Sequence, residues 1–426
     1  MRFLVTKKIN AVNRAWPQSV PGAGVRLSSV RLLLVAILLA PIPLMAAPQA
    51  PRVLAGIDVL EAQRFAPLAG KRIGLITNHT GTNRQGRSTI DLLARAPGVR
   101  LVALFSPEHG IRGEADGRVA AATDEATGLP IYSLYGDTLR PTAAMLSGVD
   151  ALVFDIQDAG VRFYTYITTM GYTMEAAAEH HLAYYVLDRP NPLGGERIEG
   201  PMLDAGRTNF VGYFSMPVRT GMTLGELALM FNAEKKIGCD LHVIAMQGWR
   251  RRDRFSDTGW PWRNPSPNLR SADAALLYPG LEILQAAGVS VGRGTSAPFE
   301  RFGAPWIRGD ELVGYLRRRA IPGVRFEPDR FTPDAGLHHG EGCQGARVIL
   351  IDPSALQSMR MGMEIASALT KLYPENFDTR KIIELLGNAE TVGRLERGED
   401  PAAIVASWEA DLSAFRAMRA RYLLYR

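Results

Sequence analysis

The chain has 426 residues, 46% hydrophobic and 22% charged, with 42 Gly and 27 Pro. This is ordinary globular composition, which excludes a disordered, collagen-like or coiled-coil protein. The formal net charge is +6, yet residues 1–47 hold six basic side chains (Arg2, Lys7, Lys8, Arg14, Arg26, Arg31) and no carboxylate, leaving 43 basic against 43 acidic residues in the rest. A body with no net charge has no general attraction for a polyphosphate chain, so nucleic acid is not an expected partner.

The basic N-terminus has the grammar of a leader. Arg26 and Arg31 precede the apolar run 32–40, and Met45-Ala46-Ala47 offers small residues for cleavage. A positive flank, a short apolar core and a small-residue exit predict a secretory signal peptide over 1–47 and a periplasmic or secreted mature protein. Pro41 and Pro43 stop the run well short of the roughly 20 residues that a membrane span needs, so no stable span is expected after cleavage. Cys239 and Cys343 are the two cysteines and neither belongs to a CxxC, which removes the zinc-ribbon and thioredoxin readings.

Beyond the leader, short apolar runs at 72–77, 99–105, 151–155 and 183–188 predict buried parallel strands. Helical patterns lie between and after them, at 88–95, 141–146, 169–181 and 224–234, with a further strand at 241–246. This alternation predicts a Rossmann-like, doubly wound α/β sheet over 48–270. From 271 the pattern shifts to helices at 276–286, 310–319, 358–372, 381–386 and 402–422, with strands near 324–328 and 347–351. A smaller C-terminal α/β domain is therefore expected over 271–426.

In such sheets ligands bind outside the carboxyl ends of the strands. Each N-terminal strand runs straight into polar residues: Asn78-His79, Ser106-Pro107-Glu108-His109, Gln157-Asp158 and Arg189-Pro190-Asn191. Glu108, on a rigid strand end and followed by a glycine-containing loop, has the placement of a general acid; the alternative is a loop carboxylate paired with Arg112. The segment 155–166 packs Asp155, Gln157, Asp158, Arg162, Tyr164 and Tyr166 into twelve positions. Planar polar groups beside aromatic rings suit a sugar. A metal reading uses Asp155, Asp158 and His109 or His79 instead, although no HExxH or closed zinc spacing is present. Neither glycine-rich loop, 191–195 or 291–295, has GxGxxG or P-loop form, and no GxSxG exists, so no nucleotide or other cofactor is expected and a serine-nucleophile elbow is excluded. The pair His338-His339 and the basic run 250–254 read as solvated loop features.

In order along the chain stand GLITNHTG, FSPEHGIRG, TGLPIYSLYG, DIQDAGVRFYTY, DRPNPLGG, EGPML, GMTLGELA, SVGRGT and PFERFGAPW. From about Gly56 to the C-terminus the chain resembles bacterial exo-β-N-acetylmuramidases. The resemblance implies a Rossmann-like domain and a smaller α/β domain with the site in the cleft between them. It also implies release of N-acetylmuramic acid from the non-reducing end of peptidoglycan fragments. Carried onto this sequence, it makes Glu108 the leading catalytic residue. Asp155 and Asp158 would orient the substrate's acetamido group, with Glu300 of PFERFGAP competing for the opposite-face role. Asn78, His109, Arg112, Gln157, Arg162, Tyr164, Tyr166, Asn191 and Arg293 would bind substrate, with arginine reading the lactyl carboxylate. Where many relatives read EGTNVS before the GRGT motif, this chain has Gln285-Ala286-Ala287-Gly288-Val289-Ser290. That departure keeps a non-catalytic muropeptide-binding protein open beside the glycosidase, with a metal-dependent hydrolase as the other alternative.

Overall fold

The computed structural model describes residues 53–113 and 120–426; the leader at 1–47 lies outside the described residues. The strands are, in chain order, β1 (Arg72–Thr77), β2 (Arg100–Ser106), β3 (Ala122–Thr123), β4 (Pro130–Ser133), β5 (Ala151–Asp155) and β6 (Ala183–Leu187). They continue with β7 (Glu199–Met202), β8 (Pro217–Arg219), β9 (Asp240–Ile244), β10 (Arg301–Ala304), β11 (Val324–Phe331) and β12 (Cys343–Leu350). The main sheet has the order β3-β4-β2-β1-β5-β6-β9, parallel throughout except for the edge strand β3. Its six parallel strands follow the 3-2-1-4-5-6 order of a Rossmann sheet, with the reversal between β1 and β5.

The apolar runs are strands because both faces of the sheet are covered. Ile73 and Leu75 of β1, Val153 of β5 and Leu187 of β6 face one core, which also takes Ile57 and Leu60 of helix Gly56–Ala62 and Leu93 of helix Thr89–Ala94. Their neighbours Ile76, Leu152, Phe154 and Val186 face the other core, with Met170 and Met174 of helix Tyr166–Glu179 and Leu227 and Phe231 of helix Leu224–Glu234. Period-two alternation with apolar residues on both sides is the sequence form of a doubly covered strand. The second core continues past position 270 through Leu281, Phe302, Val348 and Phe415.

Helix Ala272–Gln285 opens the C-terminal part, where β10, β12 and β11 form an antiparallel sheet in that order. Helices Gly309–Arg318 and Ser358–Leu372 accompany it. The helix expected at 141–146 is a run of turns. It buries only Pro141 and Leu146, too little to offset the nucleation of so short a helix. The expected helix 402–422 is broken at Trp408, whose buried indole donates to Thr391 Oγ1 at 3.0 Å. Cys239 and Cys343 are both buried and unpaired thiols. No helix among the described residues is long and apolar enough to cross a membrane.

Candidate active site

Beyond β2, His109 and Gly110 both adopt left-handed backbone, with φ of 70° and 76°. Two such residues in succession turn the chain sharply; Gly110 takes this conformation freely, and His is among the few side chains that tolerate it. The turn leaves Glu108 half-buried and His109 buried beside it. Thr165, the residue that opens helix Tyr166–Glu179, donates its hydroxyl to Glu108 Oε2.

Glu108 and His109 line a cavity of about 160 Å³ together with Phe163, Tyr164, Thr165, Val211 and Ser266 from the N-terminal part. Tyr278, Glu282, Arg293 and Leu385 close it from the C-terminal part. A cavity of about 150 Å³ accommodates one six-membered ring. The aromatic wall is rigid: Tyr278 meets Tyr164, Phe163 and Phe299 edge-on, with centroids 6.0, 5.6 and 4.8 Å apart. Burial pushes the Tyr164 and Tyr278 hydroxyls well above their ordinary pKa, so both stay protonated. Glu282 is 7% exposed. One of its oxygens accepts from Arg293 Nη2 at 2.6 Å, while the other, Oε2, has no hydrogen-bond partner. Burial raises its pKa, against the opposing pull of Arg293. The Arg293 guanidinium stands over the Phe299 ring at 5.2 Å.

Most of the other expected site residues brace loops instead. Asp155 is fully buried and its carboxylate is taken by Arg189, at 2.6 and 2.8 Å, and by the Thr89 hydroxyl. It therefore corrects to a buried ion pair at the sheet edge. Gln157 Nε2 donates to the Asp158 and Pro190 carbonyls, both at 2.9 Å. Asn191 donates to the Met222 carbonyl at 2.7 Å and accepts from Leu193 N at 2.9 Å. Its side chain packs so closely on Gly160 that a Cβ there would fall 2.3 Å from Asn191 Oδ1. Asn78 donates to the Tyr166 hydroxyl at 3.0 Å, and Tyr166 in turn donates to the Pro265 carbonyl at 2.7 Å.

Arg162 is the clearest correction. Its fully buried guanidinium donates to the carbonyls of Pro201, Met216, Leu385 and Leu386 at 3.1, 2.7, 3.2 and 2.6 Å. It clamps three backbone segments and is not available to a ligand. Arg112 is exposed and lines a different cavity, of about 230 Å³, with Asn78 and Asp124. Glu300 accepts weakly from the Ser271 hydroxyl at 3.3 Å and is not among the residues around Glu108. Asp158 is buried, with Oδ2 accepting from Gly160 N at 2.6 Å and Oδ1 unpartnered, and burial pushes its carboxyl up to about 7. Among the described residues no group of three or more His, Cys, Asp or Glu could hold a metal ion. The metal reading also fails on its own ligands, because Asp155 is already engaged by Arg189 and Thr89.

The family models named exo-β-N-acetylmuramidase NamZ, N-terminal and C-terminal, match residues 73–273 and 276–425. The chain belongs to this exo-β-N-acetylmuramidase family. It is 43% identical over 380 residues to the peptidoglycan β-N-acetylmuramidase NamZ of Bacillus subtilis strain 168, covering 88% of this chain and 92% of that protein. Two crystal structures of DUF1343 family proteins from Bacteroides fragilis are similar in fold. One has TM-score 0.82 and 40% identity, the other 0.71 and 31%, each covering 88% of this chain and 99% of its own.

Within this family member, reasoning from sequence missed the cavity's Thr165, Ser266, Tyr278 and Glu282, together with the apolar Phe163, Val211 and Leu385. Only Glu282 had a visible signal, a single carboxylate inside the apolar run Leu281-Glu282-Ile283-Leu284 of a helix. A buried charge in such a run needs a partner, and here the partner is Arg293.

Proposed function

We propose that this protein is an exo-acting glycoside hydrolase that releases N-acetylmuramic acid from the non-reducing end of peptidoglycan fragments. One observation carries the reading: two carboxylates and an arginine from different parts of the chain line one ring-sized cavity with aromatic walls. A cavity of that size takes a terminal sugar and leaves the rest of the chain outside, which is the geometry of exo-attack. Glycoside cleavage needs a proton for the leaving oxygen and a group on the opposite face of the sugar. Glu108 is the donor, oriented by Thr165. Glu282, held by Arg293 in the wall of the same cavity, is the second carboxylate and orients the attacking group. Arg293, fixed between Glu282 and Phe299, presents a planar fork for the lactyl carboxylate that distinguishes muramic acid from glucosamine.

Glu108→Gln keeps shape and removes the proton donor. Release of muramic acid from a muramic-acid–glucosamine disaccharide should fall by about 10²–10⁴-fold. A nitrophenyl muraminide, whose leaving group needs less protonation, should lose less. Equal small losses on both substrates would sink the assignment. The leader further supports export of the enzyme to the periplasm or medium. Fractionation of cells expressing the full chain and a chain lacking residues 1–47 should place only the former outside the cytoplasm.

A further inference from the structure

The basic run 250–254, read from sequence as a solvated loop, is folded into a second cavity. Arg251, Arg252 and Arg254 line it together with Arg197 and Arg219, five guanidiniums around about 180 Å³, with Glu196 as the one carboxylate in the wall. It is distinct from the Glu108 cavity. Helix Ala272–Gln285 contributes Leu276 to the arginine cavity and Tyr278 and Glu282 to the other. Two residues along a helix rotate by about 200°, so Leu276 and Tyr278 leave it on opposite sides.

Two of the five cations are compensated: Arg219 by Glu199 and Arg251 by Glu226, each at 2.7 Å. Arg197 donates to the carbonyls of Ser354 and Leu356, and neither Arg252 nor Arg254 forms an ion pair among the described residues. Directly behind the wall, buried Arg419 shares the Gly195 and Gly221 carbonyls with Arg251 and has no carboxylate partner either. Burial first, and the Arg251 charge second, drag the Arg419 guanidinium down to about 10. Arg219 is 4% exposed, yet its Nε has no hydrogen-bond partner. The body as a whole carries no net charge, so this concentration of cations is local. Like charges held within a Debye length repel, and guanidinium forks match carboxylate and phosphate oxygens.

We infer that this cavity is a binding site for a multiply charged anion, bearing phosphate or carboxylate groups, separate from the Glu108 cavity. The anion would bridge the exposed Arg252 and the half-buried Arg254 at the wall that the buried Arg219 and Arg251 complete. Such groups come from two chemical sources, the phosphates of an anionic polymer or the carboxylates of a peptide-bearing sugar fragment.

Tripolyphosphate and citrate separate these sources. Titration calorimetry on the full mature protein at low salt should show saturable binding of one or both at millimolar concentration or below, weakened by added salt. The double variant Arg252→Gln/Arg254→Gln removes two cations that make no ion pair and leaves the buried clamps in place. It should bind at least tenfold more weakly, with its melting temperature and its hydrolysis of a small nitrophenyl muraminide unchanged. A preference for tripolyphosphate assigns the site to phosphate, and a preference for citrate assigns it to carboxylate. Absence of saturable binding, or equal affinity in the double variant, overturns the proposal. The readout is binding, so it stands or falls independently of the glycosidase reading.

Discussion

At the carboxyl edge of the main sheet, the end of β1 beside β5 and the end of β2 have opposite fates. The first is the point where strand order reverses, the usual ligand crevice of a Rossmann sheet. Here it is sealed. Thr77 donates to the Asp155 carbonyl at 2.7 Å, Gln157 N donates to the Thr80 hydroxyl at 2.9 Å, and Arg189 holds the Asp155 carboxylate. A Cβ at Gly81 would fall 2.1 Å from Thr77 Oγ1, so no side chain fits between the strands there. One strand away, the end of β2 opens into the cavity that holds Glu108. Asp155, Gln157 and Arg189 of the first region are taken up by one another and by backbone carbonyls; in the second, Glu282 keeps an oxygen without a partner. A polar strand end is a binding site only where the fold withholds its partners.

The largest effect should come from breaking the sealed region. Asp155→Ala leaves Arg189, 3% exposed at its side chain, without its carboxylate. Removing one member of such a buried pair costs about 3–5 kcal/mol. Denaturant melts should shift to match, while turnover per folded molecule falls far less than in Glu108→Gln. The converse belongs to the open region. Glu282→Gln should lower turnover by about 10²-fold, with stability close to that of the parent protein. A large loss of stability with unchanged turnover would make Glu282 a mere partner for Arg293.

The two arginines sharpen the contrast further. Arg293→Lys replaces a planar fork by a point charge and should reduce the preference for muramic acid over glucosamine substrates by about tenfold. Arg162→Lys should instead lower the melting temperature and leave that preference intact, because its partners are four backbone carbonyls. The reverse pattern in kcat/KM ratios would exchange the two roles.

Asp158 gives an effect of a different kind, a tilt in the stability–pH curve. Burial raises its folded pKa to about 7, against about 3.9 when unfolded. The folded state therefore binds the extra proton, and the stabilisation is complete below about pH 4 and lost as pH rises through about 7. Asp158→Asn should flatten this slope and be relatively more stable than the parent at pH 8 than at pH 5. Parallel melting curves for the two proteins across that range would show that Asp158 is not the source.

The carboxyl-end loops were legible in the sequence because parallel strands buried on both faces are continuous apolar runs, and the residues that end such runs must lie on one edge. Glu108 could be read for the same reason: its position depends on a strand end and a local turn. Arg162 and Arg293 could not be told apart in this way, since what separates them is the arrival of carbonyls from residues 201, 216, 385 and 386 around one and of Glu282 and Phe299 around the other. The sequence by itself determined the α/β class and the edge that carries the polar loops, both of which follow from local periodicity. Only the tertiary structure decided which polar groups at that edge remain available, because hydrogen-bond partners are assigned by backbone segments far apart in the chain, and burial then removes every donor and acceptor they satisfy.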